Sequence, residues 1–295
     1  MRALVTGAAG FIGSHLAERL RADGAEVIGV DGFVDNYAEA RKRSHLRALA
    51  SDEGFRLVEA MLEDLDLGAL LDGVDVVFHL AAMPGVRSSW GQSFEPYSSY
   101  NVYATQRVLE AAMHAGVGRV VYASSSSVYG DAAALPMSEE ARELPHSPYG
   151  VTKLAGEHLA RLYHRNYGYP TVSMRFFTVY GPRQRPEMAI GSGEQTRDFT
   201  YVADTVEALV RAADGGEPGA VYNVGGGSTV SLNQLIATIE QVTDSRLDAS
   251  REDAQRGDVG HTRADVTRVR QALDFVPAVA LEEGLRRHWE WLQAT

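Results

Sequence analysis

Two hydrophobic rhythms alternate along the chain. Short apolar runs of strand length cover 3–5, 26–31, 55–59, 74–80, 119–124 and 171–176. Between them, apolar residues return at helical spacing, as at Ile12, Leu16 and Leu20. The same spacing predicts helices over 38–50 (a basic one), 100–115, and from Tyr149 to about 167. Strand and helix in turn imply an α/β fold, a doubly wound parallel sheet of Rossmann type. Ligands of such sheets sit beyond the carboxyl ends of the strands, where the strand order reverses. Asp31, Ala81, Ser125 and Thr178 each follow a strand closely, so one crevice could gather them.

The first strand runs straight into Thr6-Gly7-Ala8-Ala9-Gly10-Phe11-Ile12-Gly13. Glycines at a strand-to-helix turn form a dinucleotide fingerprint. Gly7 permits the tight turn, Gly10 lets a pyrophosphate approach the backbone, and Gly13 allows close helix–strand packing. Free N–H groups at the helix start then face the phosphates. Asp31 closes the second strand, 24 residues after Gly7. A carboxylate there accepts from a ribose 2′-OH and repels a 2′-phosphate, which predicts NAD rather than NADP.

Tyr149 and Lys153 stand four residues apart, on one face of a helix. A phenol is a poor base at neutral pH, and a neighbouring ammonium favours its ionised form. The pair therefore reads as an activated acid/base. Ser124, Ser125, Ser126 and Ser127 follow a strand directly and offer hydroxyls to a substrate oxygen.

Past Arg175 the alternation weakens. Residues 181–186 are loop chemistry, 202–213 return to helix, 220–224 to strand, and 281–292 form an amphipathic helix. We expect a cofactor-binding unit over 1–174, with 202–224 returning to it, and a smaller discontinuous substrate-binding cap over 175–201 and 225–295. The 295 residues, 45% hydrophobic and 23% charged, suit a globular chain of that size. A net charge of −11 argues against nonspecific binding to nucleic acid or to an anionic membrane. The absence of cysteine excludes disulfides and thiolate chemistry, and the nine histidines show no metal-ligand spacing. No apolar run reaches ~18 residues and no signal-peptide pattern opens the chain, so a cytoplasmic protein is expected.

Taken together, these motifs resemble an extended short-chain dehydrogenase/reductase of the nucleotide-sugar epimerase/dehydratase group. The likeness runs nearly end to end: the glycine turn, His79-Leu80-Ala81-Ala82, the serines with Val128-Tyr129-Gly130, Tyr149/Lys153, and Arg197-Asp198-Phe199-Thr200-Tyr201-Val202. It implies Ser125 as the catalytic hydroxyl beside Tyr149 and Lys153, with Lys153 also holding the nicotinamide ribose. It implies NAD contacts at Gly7, Gly10, Phe11, Ile12, Gly13, Asp31, Asp64, Leu65, Leu80, Ala81, Ala82 and Asn101. It implies a homodimer, for which apolar positions around Val108/Leu109 and Leu154/Leu159 were candidates alongside burial in the monomer.

The same resemblance implies oxidation of a sugar 4-OH to a 4-keto intermediate. Dehydratases of the group carry an Asp–Glu pair where this chain has Ser126 and Ser127, and its decarboxylases tend to carry a Glu in that loop. Neither is present, which leaves 4-epimerisation. Gly85-Val86-Arg87-Ser88-Ser89-Trp90, Phe177-Thr178-Val179-Tyr180 and Gly181-Pro182-Arg183-Gln184-Arg185-Pro186 resemble UDP-glucuronate 4-epimerases. Arg185 is the expected reader of the sugar carboxylate, a bidentate task that suits Arg, assisted by Thr178, Ser126 and Ser127. Gly85, Val86, Arg87, Arg197, Arg256 and Asp258 complete the expected substrate set. A UDP-glucose 4-epimerase, a UDP-glucuronate decarboxylase and a noncatalytic NAD sensor are the alternatives. One departure stands out: about twenty residues of the family's cap are expected between Met188 and Gly191, where this chain has only Ala189 and Ile190.

Overall fold

A computed structural model describes residues 1–35, 37–131, 134–184, 193–248 and 256–295. Seven strands make one sheet: β1 (Arg2–Thr6), β2 (Glu26–Asp31), β3 (Phe55–Glu59), β4 (Val76–His79), β5 (Arg119–Ser125), β6 (Thr171–Phe176) and β9 (Val221–Val224). Their order is β3-β2-β1-β4-β5-β6-β9, and every pairing is parallel. The order reverses between β1 and β4, which opens a crevice at their carboxyl ends.

Both faces of the sheet are covered, so its inner strands are buried along most of their length and serve two cores. Ala3 and Val5 face one core, with Leu16 and Leu20 of α1 (Phe11–Ala22) and Leu209 of α7 (Val202–Gly215). Leu4 faces the other, with Val108 and Leu109 of α5 (Ala104–His114) and Ala160 of α6 (Pro148–Tyr167). Val108 and Leu109 are thus core residues of the monomer, 0% and 1% exposed, and not interface candidates.

Local chemistry sets the ends of α6. Ser147 caps it, accepting from the Gly150 N–H at 3.1 Å, and Pro148 occupies its first turn. Gly168, at φ +67°, ends it.

Two expected helices are interrupted. Over 38–50, α2 (Glu39–His45) stops and a 3₁₀ turn, Arg47–Leu49, follows. Leu46 and Leu49, three residues apart, are both buried, a spacing that the tighter helix aligns. Over 100–115 the helix starts earlier, as α4 (Phe94–Ser98), and passes through a π-helical turn, Ser99–Tyr103, before α5. That turn swings the Asn101 side chain inward.

A second, three-stranded sheet went unread in the sequence. It orders β10 (Thr229–Ser231), β8 (Thr196–Tyr201) and β7 (Thr178–Tyr180). Tyr180, Phe199 and Tyr201 form its core with Leu232 and Leu235 of α8 (Leu232–Thr243) and Leu281 and Leu285 of α10 (Leu281–Ala294). Short strands of three residues give too little alternation to read as a pattern. Among the described residues, no helix is long and apolar enough to cross a membrane, and no cluster of potential metal ligands occurs.

Candidate active site

A cavity of about 360 Å³ lies at the β1/β4 reversal. Gly7, Gly10, Phe11, Ile12, Gly13, Asp31, Leu80, Ala81, Ala82, Tyr149 and Lys153 all line it, as the sequence led us to expect. The glycine requirement is backbone geometry. Gly7 has φ +71°, and a Cβ there would sit 2.9 Å from the Ala81 nitrogen. A Cβ on Gly13 would lie 2.1 Å from the Gly7 carbonyl oxygen. At the far end, the Asp31 carboxylate accepts from the Ala9 N–H at 3.0 Å and the Phe33 N–H at 2.8 Å. These features, a cradle that side chains would fill and a carboxylate held at its end, fit a dinucleotide.

Three expected cofactor residues sit elsewhere. Asp64 is exposed, and Leu65 packs against the core under α5; the preceding Met61, Leu62 and Glu63 face the cavity instead. Asn101 is buried behind the wall. Its side-chain amide accepts from the Met83 N–H at 2.7 Å and donates to the Met83 carbonyl at 3.1 Å, clamping a loop that lines the cavity. It also donates to Thr152 Oγ1 at 3.0 Å, and Thr152 donates to the Tyr149 carbonyl at 2.8 Å.

That clamp is one end of a buried polar chain. Thr6 Oγ1 accepts from the Leu80 and Ala81 N–H groups at 3.1 Å, so its own proton goes to His79 Nδ1 at 2.8 Å. His79 Nε2 must then carry the ring proton and donate to Thr105 Oγ1 at 3.0 Å, which donates to the Asn101 carbonyl at 2.7 Å. Burial, helped by the nearby Lys153 ammonium, holds His79 down to about 3, so the ring is neutral as this chain requires. Two runs of hydrogen bonds that meet at Asn101, one on its carbonyl and one from its side-chain amide, therefore link Thr6 beside the glycine turn to the backbone of Tyr149.

Lys153 is buried and donates to the Ala123 carbonyl at 2.8 Å, with its ammonium 5.2 Å from the centre of the Tyr122 ring. Burial lowers it to about 7, and the charge of Glu157 pushes it back up. Glu157 is one turn further along α6 and fully buried. Arg175 of β6, also fully buried, grips it through Nε at 2.9 Å and Nη2 at 2.7 Å, and reaches Glu143 at 2.8 Å. Ser124 Oγ donates to the same Glu157 carboxylate and lines the cavity. Sequence reasoning missed this group. Two signals were available: an Arg inside an apolar strand needs a buried counter-charge, and Glu157 continues the spacing of Tyr149 and Lys153.

Among the described residues, the expected substrate residues lie outside the cavity. Ser125 ends β5, where Oγ accepts from the Ser127 N–H at 3.1 Å; Ser126 and Ser127 form the next turn. Ser125 is in register with Phe176, two residues before Thr178 opens β7. Arg87 and Asp258 meet as a two-point ion pair, at 3.2 and 2.8 Å, with Val86 packed close to Gly257. Gly85, at φ +115°, turns the chain into that contact. Arg197 donates to the carbonyls of Thr196, Val259 and Gly260, so it braces the Asp258 loop. Arg256 is exposed. Arg185 and the junction 188–191 lie outside the described residues. Arg183 and Gln184, just before them, line the cavity, and Arg183 pairs with Glu18 of α1 at 2.6 Å.

The family model for the NAD dependent epimerase/dehydratase family matches residues 3–225, and that for GDP-mannose 4,6 dehydratase matches 184–288. A crystal structure of a UDP-glucuronic acid 4-epimerase from Bacillus cereus, in complex with UDP-glucuronic acid and NAD, superposes with a TM-score of 0.95 at 38% identity, covering 100% of this chain and 99% of that one. A Bacillus subtilis (strain 168) protein named an uncharacterized UDP-glucose epimerase is 41% identical over 314 residues, covering 100% of this chain and 98% of its own. A UDP-glucuronate 4-epimerase of Thermodesulfobacterium geofontis (strain OPF15) is 33% identical over 311 residues, covering 98% and 95%. Both alignments exceed the 295 residues of this chain, so those relatives carry residues with no counterpart here. With the fold, the glycine cradle and the Tyr149/Lys153 face in agreement, the chain belongs to the NAD-dependent epimerase/dehydratase family.

Proposed function

We propose that the protein is an NAD-dependent 4-epimerase of a UDP-hexuronate, interconverting UDP-glucuronate and UDP-galacturonate. The single observation that carries this is the placement of Tyr149 and Lys153 on the wall of the dinucleotide cavity, in a chain whose structural relatives in complex with UDP-glucuronic acid include ones at 38% and 42% identity. NAD, when bound, supplies reversible hydride acceptance.

The protein's own groups manage the proton. Tyr149, as phenolate, takes the proton of the sugar 4-OH and later returns one to the 4-keto oxygen. A charged Lys153 favours that phenolate. Ser125 donates to the developing keto oxygen. Ser126 and Ser127 offer no carboxylate for eliminating water, which favours epimerisation over dehydration. A 4-keto-uronate is a β-keto acid that loses CO2 once its carboxylate aligns with the ketone. Arg185 and Thr178 are proposed to hold the carboxylate out of that alignment. Arg197, Arg87 and Asp258 would serve the UDP half. We assign 1–174 with 202–224 to the cofactor unit and 175–201 with 225–295 to the substrate unit, supported by the place of β9 beside β6.

The test is incubation with UDP-glucuronate and mass-resolved separation of products. UDP-galacturonate supports the proposal. A UDP-pentose with CO2 would make it a decarboxylase, turnover of UDP-glucose alone would favour the activity named for the Bacillus subtilis relative, and no conversion by NAD-loaded protein would leave a sensor. A homodimer is also proposed. Val151 and Leu162, 51% and 52% exposed and three turns apart on α6, could supply its contact; light scattering at the mass of one chain would exclude it.

A further inference from the structure

Behind the acid/base pair, two buried cations share one fully buried carboxylate. Lys153 and Arg175 are 4% and 0% exposed, and Glu157 is 0% exposed. Glu157 stands one turn after Lys153 on the same face of α6. Its carboxylate accepts from Arg175 Nε at 2.9 Å, from Arg175 Nη2 at 2.7 Å and from Ser124 Oγ. Donors on β5 and β6 therefore fix where this charge sits. Arg175 is divided between two acids: Nη2 also reaches Glu143 at 2.8 Å, and Arg161 faces Glu143 from 3.7 Å. The Arg175 guanidinium lies 4.6 Å from the centre of the Tyr129 ring. Lys153 is placed differently. Its hydrogen bond runs to the Ala123 carbonyl, and among the described residues it forms no ion pair. The other titratable groups packed on it carry no charge to offset its own. Burial holds His79 of β4 down to about 3, and burial pushes the Tyr122 phenol of β5, which Glu157 also faces, well above its ordinary range. A buried ammonium without a counter-charge gives up its proton.

We propose that Glu157 is a positioning residue of the acid/base pair: its fixed carboxylate is the counter-charge that keeps Lys153 an ammonium, and it acts on Tyr149 through Lys153. The ammonium then favours the Tyr149 phenolate. Burial alone would take the proton from Lys153, and the charge of Glu157 opposes it. Two effects of opposite sign separate this role from a plain field effect. Removing an anion near a phenol favours the phenolate directly, so Tyr149 would ionise at lower pH. Removing the counter-charge of Lys153 deprives Tyr149 of its ammonium, so Tyr149 ionises at higher pH. The inference rests on the acid/base reading of Tyr149 and Lys153 but not on the sugar, so it is tested without turnover.

The full chain loaded with NAD is titrated with pH by tyrosinate absorbance. Each variant is paired with its own Tyr149→Phe chain, so the difference reports Tyr149 alone. Glu157→Gln is expected to raise the Tyr149 midpoint by about one pH unit. Glu157→Asp keeps the charge and should leave the midpoint within about half a unit of the parent. A second chain guards against a Glu157→Gln protein that does not fold. Glu157→Met with Arg175→Met replaces the buried ion pair by apolar side chains, a change that is often neutral for stability. It removes no net charge, so its direct field at Tyr149 nearly cancels, and the same upward move is expected. A residue that only holds the fold together would change unfolding and leave the midpoint in place. A midpoint that falls or stays put in whichever of these chains folds overturns the assignment. So does a rise for Glu157→Asp equal to that for Glu157→Gln. A parent with no Tyr149 phenolate below the ordinary phenol value of ~10 would sink the acid/base reading, and the inference with it.

Discussion

Around the cofactor, recognition is built into backbone: a left-handed Gly7, a Gly13 with no room for a Cβ, and an Asp31 held by two N–H groups. On the proposed sugar side stand long side chains from distant segments that hold one another, as Arg87 does Asp258 across 171 residues of sequence. The first arrangement is set before any ligand arrives. The second, in the proposed reading, exchanges protein partners for ligand. Tyr149 stands at the seam, on the cavity wall and one turn from Lys153, while its hydrogen-bonded backbone belongs to the cofactor side.

The seam is where the comparison breaks most sharply. Tyr149→Phe removes one oxygen and leaves the helix, the Thr152 link and the cavity wall in place. Turnover of UDP-glucuronate should fall by about 10³-fold or more, the weight of a general base, while NAD affinity stays close to that of the parent. Retained turnover would remove Tyr149 as the base. A parallel loss of NAD binding would show that the two sides are not separable there.

Next is the buried charge group behind the seam. Glu157→Gln leaves Arg175 with Glu143 as its remaining carboxylate, in a site with no exposure. A loss of about 3 kcal/mol in denaturant unfolding is expected, as for breaking a buried ion pair. It should also lower the proton affinity of Lys153, because Glu157 is the charge that raises it. A stability change below about 0.5 kcal/mol would mean that the pair is idle.

Histidines extend the contrast to pH. Burial holds His79 down to about 3 and His15 and His45 to about 4, against an ordinary 6.5. All three contact the cofactor side or its edge: His79 Thr6, His45 the Ala9 carbonyl, and His15 the Pro182 carbonyl. Each folded value lies below the unfolded one, so the unfolded chain binds protons first as pH falls. Stability is full above about pH 7 and is lost through the window from 6.5 down to 4. Each histidine adds roughly 1.4 kcal/mol per pH unit there, so the slope reaches up to about 4 kcal/mol per unit. Unfolding free energies that are flat between pH 7 and 5 would refute it.

How far the sequence could be read follows the same division. The glycine turn, Asp31 and the Tyr149/Lys153 face were legible because each is local: a turn, a strand end and one helix turn obey short-range rules. Asp64 and Leu65 were placed a few residues too late, since which of 61–65 faces the cavity is decided by how the loop leaves β3. Asn101 was expected at the cofactor; it is buried behind the cavity wall as a clamp on Met83, reached through a π-helical turn that no periodicity announces. Glu157 with Arg175 escaped because the two partners meet only after the sheet is wound. The three-stranded sheet escaped for the same reason, its strands coming from segments up to 50 residues apart.

The smallest expected effect belongs to the sugar side. Arg87 and Asp258 form an ion pair with side chains 33% and 18% exposed. Solvent screens such a pair, so Arg87→Ala should cost about 1 kcal/mol of stability or less. If the two halves are as distinct as their construction implies, the NAD dissociation constant will not change. The KM for UDP-glucuronate should rise severalfold, since an Arg that contacts substrate contributes binding energy that the ion pair merely holds in reserve. Asp258→Asn tests the same idea from the other partner, because it removes the charge facing Arg87 without removing Arg87. It should raise KM less than Arg87→Ala does. Should both variants weaken NAD as much as the sugar nucleotide, the ion pair would be a brace for the whole crevice, and the division between a prebuilt cofactor side and an exchangeable sugar side would fail.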